Sequence, residues 1–265
     1  MASTCRRAAL TVALFAAMFL GTASLLFDGC QGSNRGPSDG RPDWDRIAFA
    51  LQLVRDEYGE QVEVGDVSGV AALATVLDSA VAALGAPTNE TRPVTTALGE
   101  LRAGILGHLP PRTVSKTCAR LLSDLAKAGR LTRRPTTLPD LRRGAATYVV
   151  ACAPCHGPPN GPLPPAAAHM LPPPTKPNAT LQTPYEIFNR ITYGGAGTAM
   201  PSFAETLSER ARWDIAFYLF ADLWPPCTPR PLPTLSAGDL AYLSDRDLWQ
   251  KYGWGAAPCL RRNFR

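Results

Sequence analysis

Residues 141–157 read LRRGAATYVVACAPCHG, and they raise the question of what Cys152, Cys155 and His156 do in that order. Residues 141–151 have helical character and deliver the motif at their end. Three chemistries use a CxxC pair: a zinc site, a thiol/disulfide switch and covalent attachment of haem c. A structural zinc site needs four N or S ligands, usually as two spaced pairs, and the other cysteines and histidines form no second pair. A thiol switch needs the pair at the start of a helix after a strand, where the helix N-terminus lowers the thiol pKa. Here the pair closes a helical segment, and His156 is left without a role. Haem c employs every residue: Cys152 and Cys155 supply two thioethers, and His156 is held beneath the iron as proximal ligand.

A second axial ligand is then sought downstream. Met200 lies in GGAGTAMPSF, residues 194–203, where glycines and Pro201 suit a loop rather than a packed helix face. Met/His is the ligand set of electron-transfer haems, and the thioether raises the potential. His169 and Met170, in AAHMLPPP, are rivals for the position. His156 is expected to donate its other ring N–H to a carbonyl, with Pro162 as the candidate acceptor. Arg190, Tyr193 and Trp213 are candidate donors to the haem propionates. Gly144 permits close approach of another helix, and Trp213, Ala216, Phe217 and Phe220 form an apolar face suited to that crossing.

The rest of the chain sets the surroundings. With 265 residues, 45% hydrophobic and 18% charged, it has the composition of a folded chain rather than a disordered one. Its net charge of +5 is scattered, and no Lys/Arg run interleaved with aromatics marks a nucleic-acid face. Arg6 and Arg7 precede an uncharged run at 8–27, the pattern of an export signal. The run is also about 20 residues, the length of a membrane-spanning helix. A cleaved signal, an uncleaved anchor and lipidation at Cys30 all fit. Each puts the remainder on the periplasmic side of the inner membrane, where leftover cysteines tend to pair. Cys227 and Cys259 bracket the C-terminal tail and are the favoured pair, with Cys118 free or an alternative partner.

The expected fold is all-α. After residues 1–30 (signal or anchor) and a Gly/Ser/Pro-rich spacer, Ile47, Leu51, Val54 and Tyr58 mark one apolar helical stripe. Further helices are read at 70–84, 94–109 and 113–131, with Asp66 or Ser68, Thr91 and Thr113 as N-caps. Together 44–131 make a small helical bundle without a catalytic constellation, in which His108 is a surface or capping residue. A Pro-containing linker, TRRPTTLPD, leads into a unit at 141–223 with helices at 141–151, 184–192 and 208–223. The tail, 224–265, has two short helices near Ser236 and Ser244, each with a Ser N-cap followed by Asp.

LRRGAATYVVACAPCHG, GPL, TAMPSF and RWDIAFYLFADL together resemble a class I monohaem cytochrome c domain. With FALQLVRDEYGEQVEVGDV and LSAGDLAYLSDRDL, the chain from roughly 45 to 250 is similar to the cytochrome-containing N-terminal region fused to bacterial high-affinity iron permeases. That resemblance implies one covalent haem c, electron transfer with redox protein partners, membrane association and a link to iron uptake. In that family the first unit carries further acidic residues, whereas VSGVAALATVLDSA has mostly Val and Ala. The multi-helix permease itself is not part of this sequence, so the implied role is that of a permease's partner. The alternative from another class is the haem subunit of a periplasmic oxidoreductase or a peroxidase-like enzyme.

Overall fold

Asp43 and Gly65 bracket the longest helix, α1 (Trp44–Val64). The Asp43 carboxylate accepts from the Arg46 backbone N–H at 3.1 Å, and Gly65, at φ 71°, takes the left-handed conformation that ends helices. In this computed structural model the residues described are 41–170, 172–224, 227–228 and 230–265; the apolar run at 8–27 and Cys30 lie outside them. Among the described residues no helix is long and apolar enough to cross a membrane.

Three helices complete the N-terminal bundle: α2 (Val67–Ala83), α3 (Arg92–Leu106) and α4 (Pro111–Lys127). Asp66 caps α2 through the Gly69 N–H. Thr91 precedes α3, and its hydroxyl accepts from the Thr88 N–H at 2.9 Å. Thr113 is not the cap of α4. The helix starts at Pro111, whose missing N–H costs nothing in a first turn, so Thr113 lies inside that turn. Two expected C-termini also move inward. His108, exposed and at φ 57°, turns the chain after α3. Gly129, at φ 67°, closes α4 with Gly129 N–H donating to the Ala126 carbonyl and Arg130 N–H to that of Leu125, the paired bonds of a Schellman end.

The stripe Ile47, Leu51, Val54 and Tyr58 is fully buried, and so are Ala48, Ala50 and Leu53 on other faces of α1. A helix apolar on several sides belongs in the middle of a fold. Accordingly α1 packs against α2 and α4 within the bundle and against α7 (Pro184–Tyr193) of the second unit. Gln52 and Asn189 share a buried hydrogen bond of 3.2 Å there. Tyr185 donates to Asp45 at 2.7 Å, and Arg55 pairs with Glu186 at 2.9 Å. All described residues fall in one compact unit.

The second unit is built on a crossing of α5 (Leu141–Ala151) and α8 (Glu209–Asp222). Asp140 caps α5, accepting from the Arg142 and Arg143 N–H groups, while its own N–H donates to the buried Asp214 carboxylate at 2.7 Å. A Cβ on Gly144 would strike the Asp214 backbone carbonyl and the Tyr218 Cβ. Glycine is therefore what lets the two backbones meet. A capping box of Thr183 and Glu186 starts α7, and Ser208 caps α8.

The tail folds back over this unit. Helices α9 (Ala237–Leu240) and α10 (Asp245–Tyr252) start at Ser236 and Ser244, as read from the sequence, and a further short helix, α11 (Ala257–Leu260), follows. Cys227 and Cys259 form a disulfide, and Cys118 is a free, buried thiol. Arg261, fully buried, donates to Asp245 at 3.0 Å and to the Leu240 carbonyl at 3.0 Å. No strand occurs among the described residues beyond an isolated bridge of Leu235 and Phe264.

Candidate haem site

Helix α5 ends at Cys152, and a single further turn, α6 (Ala153–His156), carries Cys155 and His156. That places Cys152, Cys155 and His156 on the wall of one cavity of about 250 Å³. The turn stops at Gly157, at φ 65°, where a Cβ would collide with the Pro162 carbonyl. The Tyr148 hydroxyl donates to the Gly157 carbonyl at 2.8 Å, tying the motif back to the helix that delivers it.

Met200 lines the same cavity. Its loop is held by its own backbone: the Met200 carbonyl accepts from the Gly195 N–H at 3.1 Å, and the Met200 N–H donates to the Thr198 hydroxyl at 3.2 Å. Gly194, at φ 80°, has no room for a side chain, since a Cβ would lie 2.8 Å from the Met200 oxygen. Ser202 donates to the Thr192 carbonyl at 2.7 Å and Phe203 N–H to that of Ile191 at 3.1 Å, which fastens the loop to the end of α7. Apolar walls come from Ile187, Ile191, Phe203, Ile215 and Leu219.

The protonation states suit ligation. Burial lowers the His156 pKa, and the Lys176 charge acts the same way against the opposing hydrogen bond to Thr175. The imidazole is then neutral at pH 7, as an iron ligand must be. Burial first, and Cys155 second, push the Cys152 thiol up to about 11, so it is an intact S–H. A thiol adds across a vinyl group with its hydrogen passing to carbon, the chemistry by which a cysteine such as Cys152 would be joined to a haem vinyl.

Several expectations need correction. Pro162 is not the acceptor for His156. The Nδ1 atom lies 3.0 Å from the Thr175 carbonyl, because the Pro-rich loop brings 175 rather than 162 against the ring; with Nδ1–H donating there, Nε2 is the nitrogen that could hold a metal. Arg190 lines the cavity, bonded to Glu57. Tyr193 and Trp213 do not line it. The Tyr193 hydroxyl faces Asp43 at 3.5 Å and its ring packs on Phe49, while Trp213 is buried and stacked on Phe188 at 4.1 Å. Trp213 is a core residue of the unit, and Tyr193 is half-buried against that core. Met170 lines the cavity but shares its loop with Thr175, and His169 is exposed and absent from the wall.

Two contributions had no local signal in the sequence. The Lys176 ammonium holds the Pro-rich loop together, donating to the Pro159 carbonyl at 3.1 Å and the Gly161 carbonyl at 2.5 Å. Asp56, Glu57, Glu60 and Gln61, all from α1, line the cavity as well. Among the described residues no cluster of three or more His, Cys, Asp or Glu is arranged to hold a bare metal ion.

Residues 139–219 match a family model described as cytochrome C oxidase, cbb3-type, subunit III. No curated protein and no solved structure matches the chain. The all-α fold, the CxxCH turn on the cavity wall and this match support a cytochrome c domain at residues 139–219. Such a domain binds haem c covalently and carries electrons. The residues present fit that group: two cysteine side chains, a neutral imidazole and a thioether line one cavity that also has apolar walls.

Proposed function

We propose that this chain is a monohaem electron-transfer protein in which Cys152 and Cys155 hold the haem, His156 is the fifth ligand and Met200 the sixth. The observation that supports it is the placement of all four side chains on one cavity. When bound, haem supplies a one-electron Fe(III)/Fe(II) couple whose potential a Met ligand raises. The chain's task is then to hold and orient. Thr175 fixes the His156 ring, the Gly195 and Thr198 contacts fix the Met200 backbone, and Arg190 offers a cation to the haem carboxylates.

Filling both axial positions keeps substrates from the iron, so the reading is a relay and not a ligand-activating enzyme. We place it on the periplasmic side of the inner membrane, from the signal-like run at 8–27, exchanging electrons with redox protein partners. The resemblance to permease-linked segments supports iron uptake as the process served. The oxidase-subunit description of the matched family supports a second reading, in which the relay feeds an oxidase.

The test is spectroscopic. Wild-type protein made with a haem-attachment system should retain one haem after denaturation and acid–organic extraction. It should also show the far-red thioether-to-ferric-iron band, and Met200→Ala should lose that band, keep the haem and gain rapid cyanide binding. Absence of covalent haem overturns the whole reading, an unchanged band in Met200→Ala overturns the sixth ligand, and rapid cyanide binding by the wild type favours a peroxidase-like site.

A further inference from the structure

The cavity's most unexpected wall is not part of the cytochrome domain. Helix α1 lies outside residues 139–219, yet Asp56, Glu57 and Glu60 line the cavity beside Arg190. Glu57 is bonded to the Arg190 guanidinium, with about a fifth of each side chain exposed. We propose that Glu57 is a positioning residue for the haem, setting the charge at its edge through Arg190 and exchanging a proton as the haem exchanges an electron.

The inference rests on the haem reading above. Arg190 is shared between a carboxylate of the bundle and the cavity that takes the haem. The charged groups acting on Glu57 are Arg190 of α7 and Asp56 and Glu60 of its own helix; Lys176 and the neutral His156 line the same cavity, and the Arg55–Glu186 pair lies nearby on α1 and α7. From α4 the Cys118 thiol interacts with Arg55 and Asp56; burial pushes it up to about 12, so it carries no charge. Arg55 is engaged by Glu186 and Asp56, which leaves Arg190 as the cation on Glu57. Burial raises the Glu57 pKa, Arg190 opposes this, and Asp56 and Glu60 reinforce it. Its carboxyl therefore titrates above the ordinary glutamate value of about 4.3.

Reduction adds one negative charge at the iron, which draws a proton from solvent onto a nearby carboxylate. Written in full, Fe(III) and the Glu57 carboxylate take one electron from a protein or small-molecule reductant and one proton from water, giving Fe(II) and the Glu57 carboxylic acid. The sign follows: as pH rises through the Glu57 titration the reduced state loses its compensating proton, so the midpoint potential falls.

Midpoint potentials of the full-length holoprotein, measured by spectroelectrochemistry between pH 4 and 8, test this; about 4 is the ordinary carboxyl range. The wild-type potential should fall with pH. Glu57→Gln should have a higher and flatter profile, converging on wild type at the acid end, whereas Glu63→Gln, exposed on the same helix, should follow wild type. A flat wild-type profile, or a Glu57→Gln slope equal to wild type, overturns the proposal while leaving covalent haem intact. Should Glu57→Gln fail to take up haem, the reduced-minus-oxidised infrared spectrum of wild type decides: a protonated-carboxyl band appearing on reduction supports the coupling, and its absence overturns it.

Discussion

Gly144 shows how a single missing Cβ organises the site. Its neighbour across the helix crossing is a backbone carbonyl, that of Asp214, together with the first carbon of Tyr218. Neither swings away as the end of a long side chain would. The same stretch of α8 is also tied to the start of α5, since the Asp214 carboxylate accepts from the Asp140 N–H and from Arg143 Nε at 2.5 Å. Gly144→Ala should therefore force the helices apart, at a cost of about 1–3 kcal/mol for overpacking a filled core. Chemical denaturation followed by far-UV circular dichroism checks the stability loss. The yield of covalent haem should drop in parallel, because α5 carries Cys152 at its end and α8 carries Ile215 and Leu219 on the cavity wall. Unchanged stability would mean that the crossing has slack.

At the scale of elements, helix starts with a side-chain cap were legible in the sequence, and helix ends were not, even where a glycine makes the turn, as Gly129 does after α4. Asp66, Ser208, Ser236 and Ser244 each cap a helix through a side-chain oxygen, the chemistry that makes such residues recognisable at N-termini. Leu109 and Leu131 continue an apolar pattern past helices that have already ended at Leu106 and Lys127, because residue type alone does not report where the backbone hydrogen bonding stops; Leu109 is in fact exposed. In the site, CxxCH and the Gly-rich Met loop declare themselves by local spacing. Thr175, Lys176 and Glu57 act through contacts distant in sequence, so no short window contains them. The Cys227–Cys259 link was legible from the way it brackets the tail. It closes a loop with a sequence separation of 32, for which the chain-entropy model gives about 3–4 kcal/mol. Removing it in the Cys227→Ser, Cys259→Ser double variant should lower stability by that order. The tail also packs on the rest of the chain through Tyr242 on Tyr185, whose rings stack at 4.6 Å, and through Phe264 on Phe217 at 5.1 Å. The loss should thus appear as a lower midpoint of a single transition, and a separate low-stability phase would show the tail to be an independent element.

On the scale of the molecule, α1 joins what the sequence divides. The linker TRRPTTLPD suggests a bundle and a cytochrome unit on a string, but Phe49 of α1 packs its ring on Tyr193 of α7 at 5.1 Å, and Gln52, Arg55 and Glu57 bond to Asn189, Glu186 and Arg190 across the same boundary. Arg133, within the linker, pairs with Asp45 at 2.6 Å and donates to Glu209 at 3.5 Å, fastening the connection to both sides. A helix whose burial is divided between two units cannot leave one without uncovering the other. Phe49, 6% exposed, tests this, since truncating a buried Phe costs about 3–5 kcal/mol. If α1 belonged to the bundle alone, Phe49→Ala would shift the helical signal and leave the haem absorbance on its wild-type curve. With α1 shared, both signals should move together to lower denaturant by the same amount, and divergence of the two curves would return the chain to two independent domains.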